Sequence, residues 1–166
     1  KDDSNFLLVD PQGFLRQKDS KNNIILKKTD LDLSDVNAIK INPEEGQNIV
    51  SGSHDEMMLA LQKKGIEYVL LTNKTDVSLL VKNRVYSLKL PNKHVHDTTG
   101  IGDIFCSAFT CTMLKEKDFL WALCFAAGSA QAALESNAVG LQKIPKKGMV
   151  ENNASYFYNL VDFRDL

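Results

Sequence analysis

At 166 residues, 43% of them apolar and 25% charged, the chain is long enough to bury a sizeable core as one domain, and its composition excludes a disordered chain. The formal net charge of −1 argues against a nucleic-acid partner, and no apolar run approaches the ~20 residues of a membrane span. Cys106, Cys111 and Cys124 lie in apolar helical segments without paired ligand spacing, which reads as reduced core thiols in a cytoplasmic protein rather than as disulfides or a metal site.

The chain begins at Lys1 without a methionine and enters a strand almost at once, as a piece of something longer would. Phe6 Leu7 Leu8 Val9 is a short apolar run closed by Asp10 Pro11 Gln12 Gly13, and it predicts an inner strand of a parallel sheet ended by a turn. Residues 20–23 are polar loop, 24–26 predict a short strand, and 31–36 a short helix leading into a further strand, Ala38 Ile39 Lys40 Ile41. That strand ends at Asn42 Pro43 Glu44 Glu45, where Pro43 at the first helical position and acidic first-turn residues read as a helix start.

Ser53 His54 Asp55 Glu56 is a capping box opening a helix over residues 55–64, which Gly65 stops; His54 sits in the cap with no residues around it that suggest a ligand. Residues 66–72 predict the next strand and complete a β-α-β rhythm, which implies parallel pairing with functional groups at the strands' C-terminal ends. Residues 77–81 and 85–88, separated by Lys82 Asn83 Arg84, predict a hairpin at the sheet edge. His94 and His96 straddle Val95 like metal ligands on a strand, but no further His or Cys joins them.

The chemistry concentrates in His96 Asp97 Thr98 Thr99 Gly100 Ile101 Gly102 Asp103, which runs into an apolar segment over residues 104–114. It reads as a loop delivering a buried helix. Gly100 and Gly102 let the backbone turn sharply and lie against a ligand, while first-turn amides and the helix dipole favour an anion, a phosphate or a developing oxyanion. Asp103 beside such an anion is a candidate general base; a helix start capped by Thr98 or Thr99, with Asp103 complementing the dipole, accounts for the same letters. A Walker A loop is excluded, since Asp103 and Ile104 follow the last glycine where Lys and Ser or Thr are needed, and a dinucleotide fingerprint is excluded by Phe105 in place of its third glycine. Downstream, Asp118 caps a helix running to about Leu134 whose small residues, Ala126 Ala127 Gly128 Ser129 Ala130, permit close approach of another backbone or a flat ligand. Residues 150–161 predict a surface helix with Tyr156, Phe157 and Leu160 facing in.

Asp97 Thr98 Thr99 Gly100 Ile101 Gly102 Asp103 Ile104 Phe105 resembles the D-T-x-G-A-G-D-x-F signature of the ribokinase-like (PfkB) carbohydrate and nucleoside kinases, with Ile101 in place of the usual alanine. The resemblance implies a three-layer α-β-α fold, α/β in class, with a mostly parallel sheet and an antiparallel hairpin at one edge. It implies an anion hole at Gly100, Ile101, Gly102 and Asp103, with Asp103 deprotonating the acceptor hydroxyl. Asn42 and Glu45 match the family's N-x-x-E motif, which orders the water shell of Mg²⁺ near the nucleotide phosphates, in keeping with a cation that keeps several waters. Asp97 and Thr99 match positions near a monovalent cation such as K⁺, and the stretch from Asp10 to Arg16 matches one found where the chain leaves a central strand. Ala127 and Gly128 lie on the helix that flanks the adenine pocket, and Gly140 matches a glycine before the terminal proline, here Pro145.

Thr72 matches the first letter of the family's T-x-G-x-x-G loop near the nucleotide, but Asn73 Lys74 Thr75 Asp76 Val77 lacks both glycines, which leaves the nucleotide open. Family members are about twice this length, so residues 1–166 read as a single domain, the C-terminal nucleotide-binding half of a longer kinase, inactive when isolated. The implied activity is ATP-dependent phosphoryl transfer to a sugar or nucleoside hydroxyl, in a homodimer formed through the N-terminal half. A non-catalytic nucleotide-sensing or assembly module of the same fold is the alternative, motivated by the missing glycines.

Overall fold

Side chains along a strand alternate between two faces, and here that alternation sorts the apolar residues into two cores. In the computed structural model, which describes residues 5–91, 97–136 and 138–166, six strands form one mixed sheet in the order β1-β4-β5-β6-β7-β8. The strands are β1 (Leu8–Val9), β4 (Ala38–Ile41), β5 (Tyr68–Thr72), β6 (Asp76–Val81), β7 (Arg84–Lys89) and β8 (Asp162–Asp165). β1, β4 and β5 run parallel, with Leu8 beside Ala38 and Ile39 beside Val69; β6, β7 and β8 continue the sheet antiparallel. A separate antiparallel pair joins β2 (Arg16–Lys18) to β3 (Ile24–Leu26).

Ala38, Leu70, Val77 and Leu79 face the layer of α4 (Ile101–Glu116), α5 (Phe119–Leu134) and α6 (Lys147–Tyr158), where they meet Phe105, Phe109 and Phe157. Ile39, Ile41, Val69, Leu71 and Leu80 face the other way, onto α2 (Pro43–Ile49) and α3 (His54–Lys63) through Ile49, Met58 and Leu61. Helices on both faces of a sheet make the three layers expected from the sequence. No helix among the described residues is long and apolar enough to cross a membrane.

The helices begin where their capping residues place them. Ser53 and Glu56 exchange the two hydrogen bonds of a capping box at α3, and Asp118 Oδ1 accepts from the amides of Leu120 and Trp121 at α5. Lys82 and Asn83, both at positive φ, form the two-residue turn between β6 and β7.

Four local expectations differ from the structure. Residues 31–36 form a turn rather than a helix: Asp32 Oδ1 accepts from the Ser34 amide, a local bond that competes with helix formation, and Leu33 and Val36 are buried without one. β1 lies at the edge of the described sheet instead of inside it. The hairpin has a strand outside it, β8, held by Arg84 to Asp165 at 2.6 Å and Arg164 to Asp55 at 2.6 Å, pairings no local pattern announces. On α6, Phe157 faces in together with Val150 and Ala154, whereas Tyr156 and Leu160 are exposed.

The small residues of α5 let α6 come very close. A Cβ on Gly128 would fall 2.8 Å from the Ala154 amide nitrogen and 2.9 Å from the Val150 carbonyl oxygen, both backbone atoms that cannot swing aside. Gly128→Val is therefore expected to force the two helices apart and to destabilise the fold by about 1–3 kcal/mol, read as a lower denaturant midpoint. A midpoint equal to the parent's would show that the α5–α6 contact is looser than described.

Candidate active site

Three parallel strands end on one side of the sheet, and the N-terminus of α4 is set against that side. Gly100, at φ +78, is the residue before the helix, in a left-handed conformation that L side chains rarely adopt. The Ile101 amide donates to the Thr98 carbonyl and the Ile104 amide to the Gly100 carbonyl. Among the described residues, the Gly102 and Asp103 amides between them have no acceptor. Two first-turn amides and the positive end of a helix dipole thus face outward beside the exposed carboxylate of Asp103. Among the described residues, a Cβ on Gly100 would meet nothing within 4 Å.

Behind Gly102 stands a buried charge that the sequence reading did not single out. Lys40 shares a strand face with Ala38, the face toward α4, and its ammonium donates to Asp10 Oδ2 at 2.9 Å with Glu45 Oε2 at 4.0 Å. A Cβ on Gly102 would lie 3.6 Å from Lys40 Nζ and 3.7 Å from Asp10 Oδ2, ordinary contact distances that place this cluster directly beside the helix start. Asp10 Oδ1 also accepts from the Gln12 amide, which ties the turn after β1 to the same carboxylate. Burial pulls the Lys40 ammonium's pKa down, but the Asp10 hydrogen bond and the Asp10 and Glu45 charges outweigh it, and the net shift is upward. Burial, with the Asp10 charge adding to it, pushes the neighbouring Cys106 thiol up to about 12, so it stays protonated at neutral pH and is no nucleophile.

Asn42 and Glu45 form the capping box of α2: Asn42 Oδ1 accepts from the Glu45 amide at 2.8 Å, and Glu45 Oε2 accepts from the Asn42 amide at 2.9 Å. The helix-start reading of these letters is thus realised, and it brings Glu45 into the Lys40 cluster. Glu45 is 2% exposed and Oε2 is occupied, so the pair fits a metal only through water, with the second carboxylate oxygen as acceptor. No group of three or more His, Cys, Asp or Glu among the described residues could hold a metal directly. His94 and His96 lie outside the described residues.

Thr72 ends β5 on the same side, its hydroxyl donating to the Ile41 carbonyl at 3.3 Å. The loop that lacks the two glycines is a tight reversal into β6, closed by the Asn73 amide on the Asp76 carbonyl. Ala127 is fully buried in α5, and Gly128 is pressed against the backbone of α6. Asp97 Oδ1 accepts from the Thr99 amide, and the buried Lys143 ammonium donates to the carbonyls of Asp97 and Thr99 and to Asp97 Oδ2. Hydrogen bonds from the Thr99 side chain and amide, then from Lys143, hold the Asp97 carboxyl down at about 2. A depressed carboxyl stabilises the fold above its ordinary value of 3.8, an effect that fades as pH falls through about 2. Two surface depressions, of about 600 and 360 Å³, are lined mainly by β6, β7 and β8 and hold none of these residues.

A model of the pfkB family of carbohydrate kinases matches residues 14–147. In structure the chain is similar to a pyrophosphate-dependent kinase of the ribokinase family solved with sulfate, with a TM-score of 0.72 and 19% identity, covering 89% of this chain and 52% of that one. It is similar to ribokinase from Thermotoga maritima, with a TM-score of 0.71 and 17% identity over 90% of this chain and 49% of the other. It also resembles Arabidopsis thaliana ribokinase complexed with ribose and ATP, with a TM-score of 0.60 and 21% identity over 74% of this chain and 42% of that one. At such identities the likeness shows the fold, which is ribokinase-like, and the chain spans about half the length of these structures. No curated protein matches the chain in sequence.

Removing the ammonium of Lys40 would leave two carboxylates facing each other with no counter-charge. Lys40→Met is therefore expected to cost about 3–5 kcal/mol in denaturant unfolding at neutral pH. Because the lysine's shift is upward, the parent's pairing is fully present through neutral pH and weakens only as pH rises past the ordinary lysine value of 10.5. Parental stability in Lys40→Met would show that the cluster is solvated and carries no such role.

Proposed function

Because the chain belongs to the pfkB family of carbohydrate kinases, we propose that it is the C-terminal, nucleotide-binding half of a kinase that moves the γ-phosphoryl of ATP to a hydroxyl of a sugar or nucleoside. The observation that carries this reading is the start of α4, where the amides of Gly102 and Asp103, without an acceptor among the described residues, stand beside an exposed carboxylate. Amides alone suit any anion, whereas a carboxylate held next to them repels a resting phosphate and makes chemical sense as a proton acceptor.

In the proposed reaction the acceptor hydroxyl lies between Asp103 and the terminal phosphoryl group. Its oxygen attacks phosphorus while its proton passes to an Asp103 oxygen, and the bond from phosphorus to the bridging oxygen breaks with its electron pair leaving on the diphosphate. In the anion hole over Gly100, Ile101, Gly102 and Asp103, the Gly102 and Asp103 amides would receive the charge on the transferring group, with Gly100 and Ile101 shaping the turn that presents them. Lys40 and Asp10 fix the position of that backbone from behind, and positioning of this kind supplies much of the rate in phosphoryl transfer. Asn42 and Thr72, at the ends of β4 and β5, line the side from which the donor's phosphates approach. Mg²⁺, when bound with the nucleotide, neutralises phosphate charge, and Glu45 would hold one of its waters.

Thr98, Thr99 and Asp103 are all exposed, so among the described residues nothing covers this end of α4. A kinase half that meets its acceptor pocket in the rest of a longer chain has this shape, and the isolated piece is then expected to bind phosphate without turning over substrate. The nucleotide-sensing reading draws support from the closed, glycine-free loop after Thr72, but it gives no task to the exposed Asp103 carboxylate.

Turnover and nucleotide affinity in the full-length protein test the proposal. Asp103→Asn keeps size and turn but removes the basic oxygen, so kcat should fall about 10²-fold or more, while ATP affinity holds or rises as a repulsion is lost. Undiminished turnover in Asp103→Asn overturns the base assignment. A parent that binds ATP but phosphorylates no sugar or nucleoside returns the chain to the sensing role.

A further inference from the structure

The loop before α4 is held by a group from far along the chain. Lys143 closes a short 3-10 helix, Gly140–Lys143, and its side chain is 4% exposed. Its ammonium donates to the Asp97 carbonyl at 2.7 Å, to Asp97 Oδ2 at 3.2 Å and to the Thr99 carbonyl at 3.3 Å. A lysine ammonium has three N–H donors and no acceptor, so these three oxygens saturate it. Two carbonyls and a carboxylate converging on one positive centre are also the hard oxygen set that a monovalent metal ion would take. Both acceptor residues belong to the segment that sets Gly100 and hence the outward-facing amides of Gly102 and Asp103.

We infer that the Lys143 ammonium is the resident cation of this loop, a covalently attached counterpart of the monovalent ion expected at Asp97 and Thr99, and that the loop takes no monovalent metal ion. The oxygens such an ion would need are already turned onto Lys143, and a second positive charge among them would meet the ammonium at contact distance. In this arrangement Lys143 is a positioning residue: it touches no reacting atom and acts through the backbone of residues 97–99. The consequence is a loop ordered independently of the salt around it. The inference draws on the kinase reading only for the expectation of a cation here, and its test reads thermal stability without substrate, so either can fail without the other.

The test compares melting temperatures of the full-length protein in potassium chloride and in choline chloride at equal ionic strength. The parent is expected to melt at the same temperature in both salts. Lys143→Met keeps the chain's bulk and removes the charge; it should melt lower in choline and recover in K⁺ or NH₄⁺. The rise should be saturable and reach about 2 °C at ten times the ion's dissociation constant in a protein about twice this length. Lys143→Arg, whose planar fork does not fit three converging acceptors, should recover less than the parent's stability in any salt. Saturable stabilisation of the parent by K⁺ over choline overturns the inference. So does a folded Lys143→Met variant that melts alike in all salts, because Lys143 is then an ordinary buried pair. Should Lys143→Met fold in no salt, the comparison on the parent decides by itself.

Discussion

A lysine ammonium in a protein interior has to find carboxylates, and Lys40 is such a lysine, placed in the middle of a four-residue strand whose every residue is buried. Strand alternation sends its side chain to the α4 face, where an apolar residue would simply have joined the core with Ala38. The charge instead fixes what surrounds it. Asp10 must come off the end of β1, Glu45 must reach back from the first turn of α2, and α4 starts in contact with the pair, Gly102 lying directly beside it. One buried charge thus sets the mutual positions of two strand ends and two helix starts. Those four points bound the surface on which the outward-facing amides lie.

The same logic explains why the capping box at α2 and the ion cluster are one arrangement. Glu45 Oε2 accepts from the Asn42 amide and faces Lys40, so a local helix-starting bond also orients a buried counter-charge. Capping residues are ordinarily interchangeable among several types. Here the exchange is narrower, because glutamine at residue 45 could close the capping box but would leave Lys40 with a single carboxylate.

What could be read from the sequence was what is written locally. The loop over residues 97–103 was legible because positive φ, small residues and a following apolar helix constrain one another within a few positions, and Asn42 to Glu45 was legible because a capping box spans four residues. The family signature added a role to each of these letters. Lys40 and Lys143 were not legible, since the oxygens they hydrogen-bond lie 30 and 44 to 46 residues away and a lysine in a strand or after a loop carries no mark of burial. A lysine inside the apolar run from Ala38 to Ile41 was the one available hint. Around Gly128 the small residues permit a close approach without saying whose; the neighbour is the backbone of α6, brought there by packing along both helices. β8 was silent for the same reason, being exposed throughout and held by ion pairs to Arg84 and Asp55.

The two lysines stand on either side of the start of α4 and do similar work with different consequences for charge. Each ammonium is spent on carboxylates of the protein itself: Lys40 on Asp10 and Glu45, Lys143 on Asp97. Among the described side chains at the helix start, Asp10, Glu45 and Asp97 face the two ammoniums and Asp103 has no such partner, so an approaching polyphosphate would meet one carboxylate that neither ammonium offsets. The amides and the helix dipole contribute partial charges only, each effective within the first turn. On the proposed reading, the charge to balance a transferring phosphoryl group therefore comes with the donor as a hydrated divalent cation. The protein's own cations are left to hold geometry, and their pairing keeps them from competing for the phosphate. On that reading the amides would give a phosphate its seat, and a hydrated cation carried by the donor would offset the Asp103 carboxylate beside it.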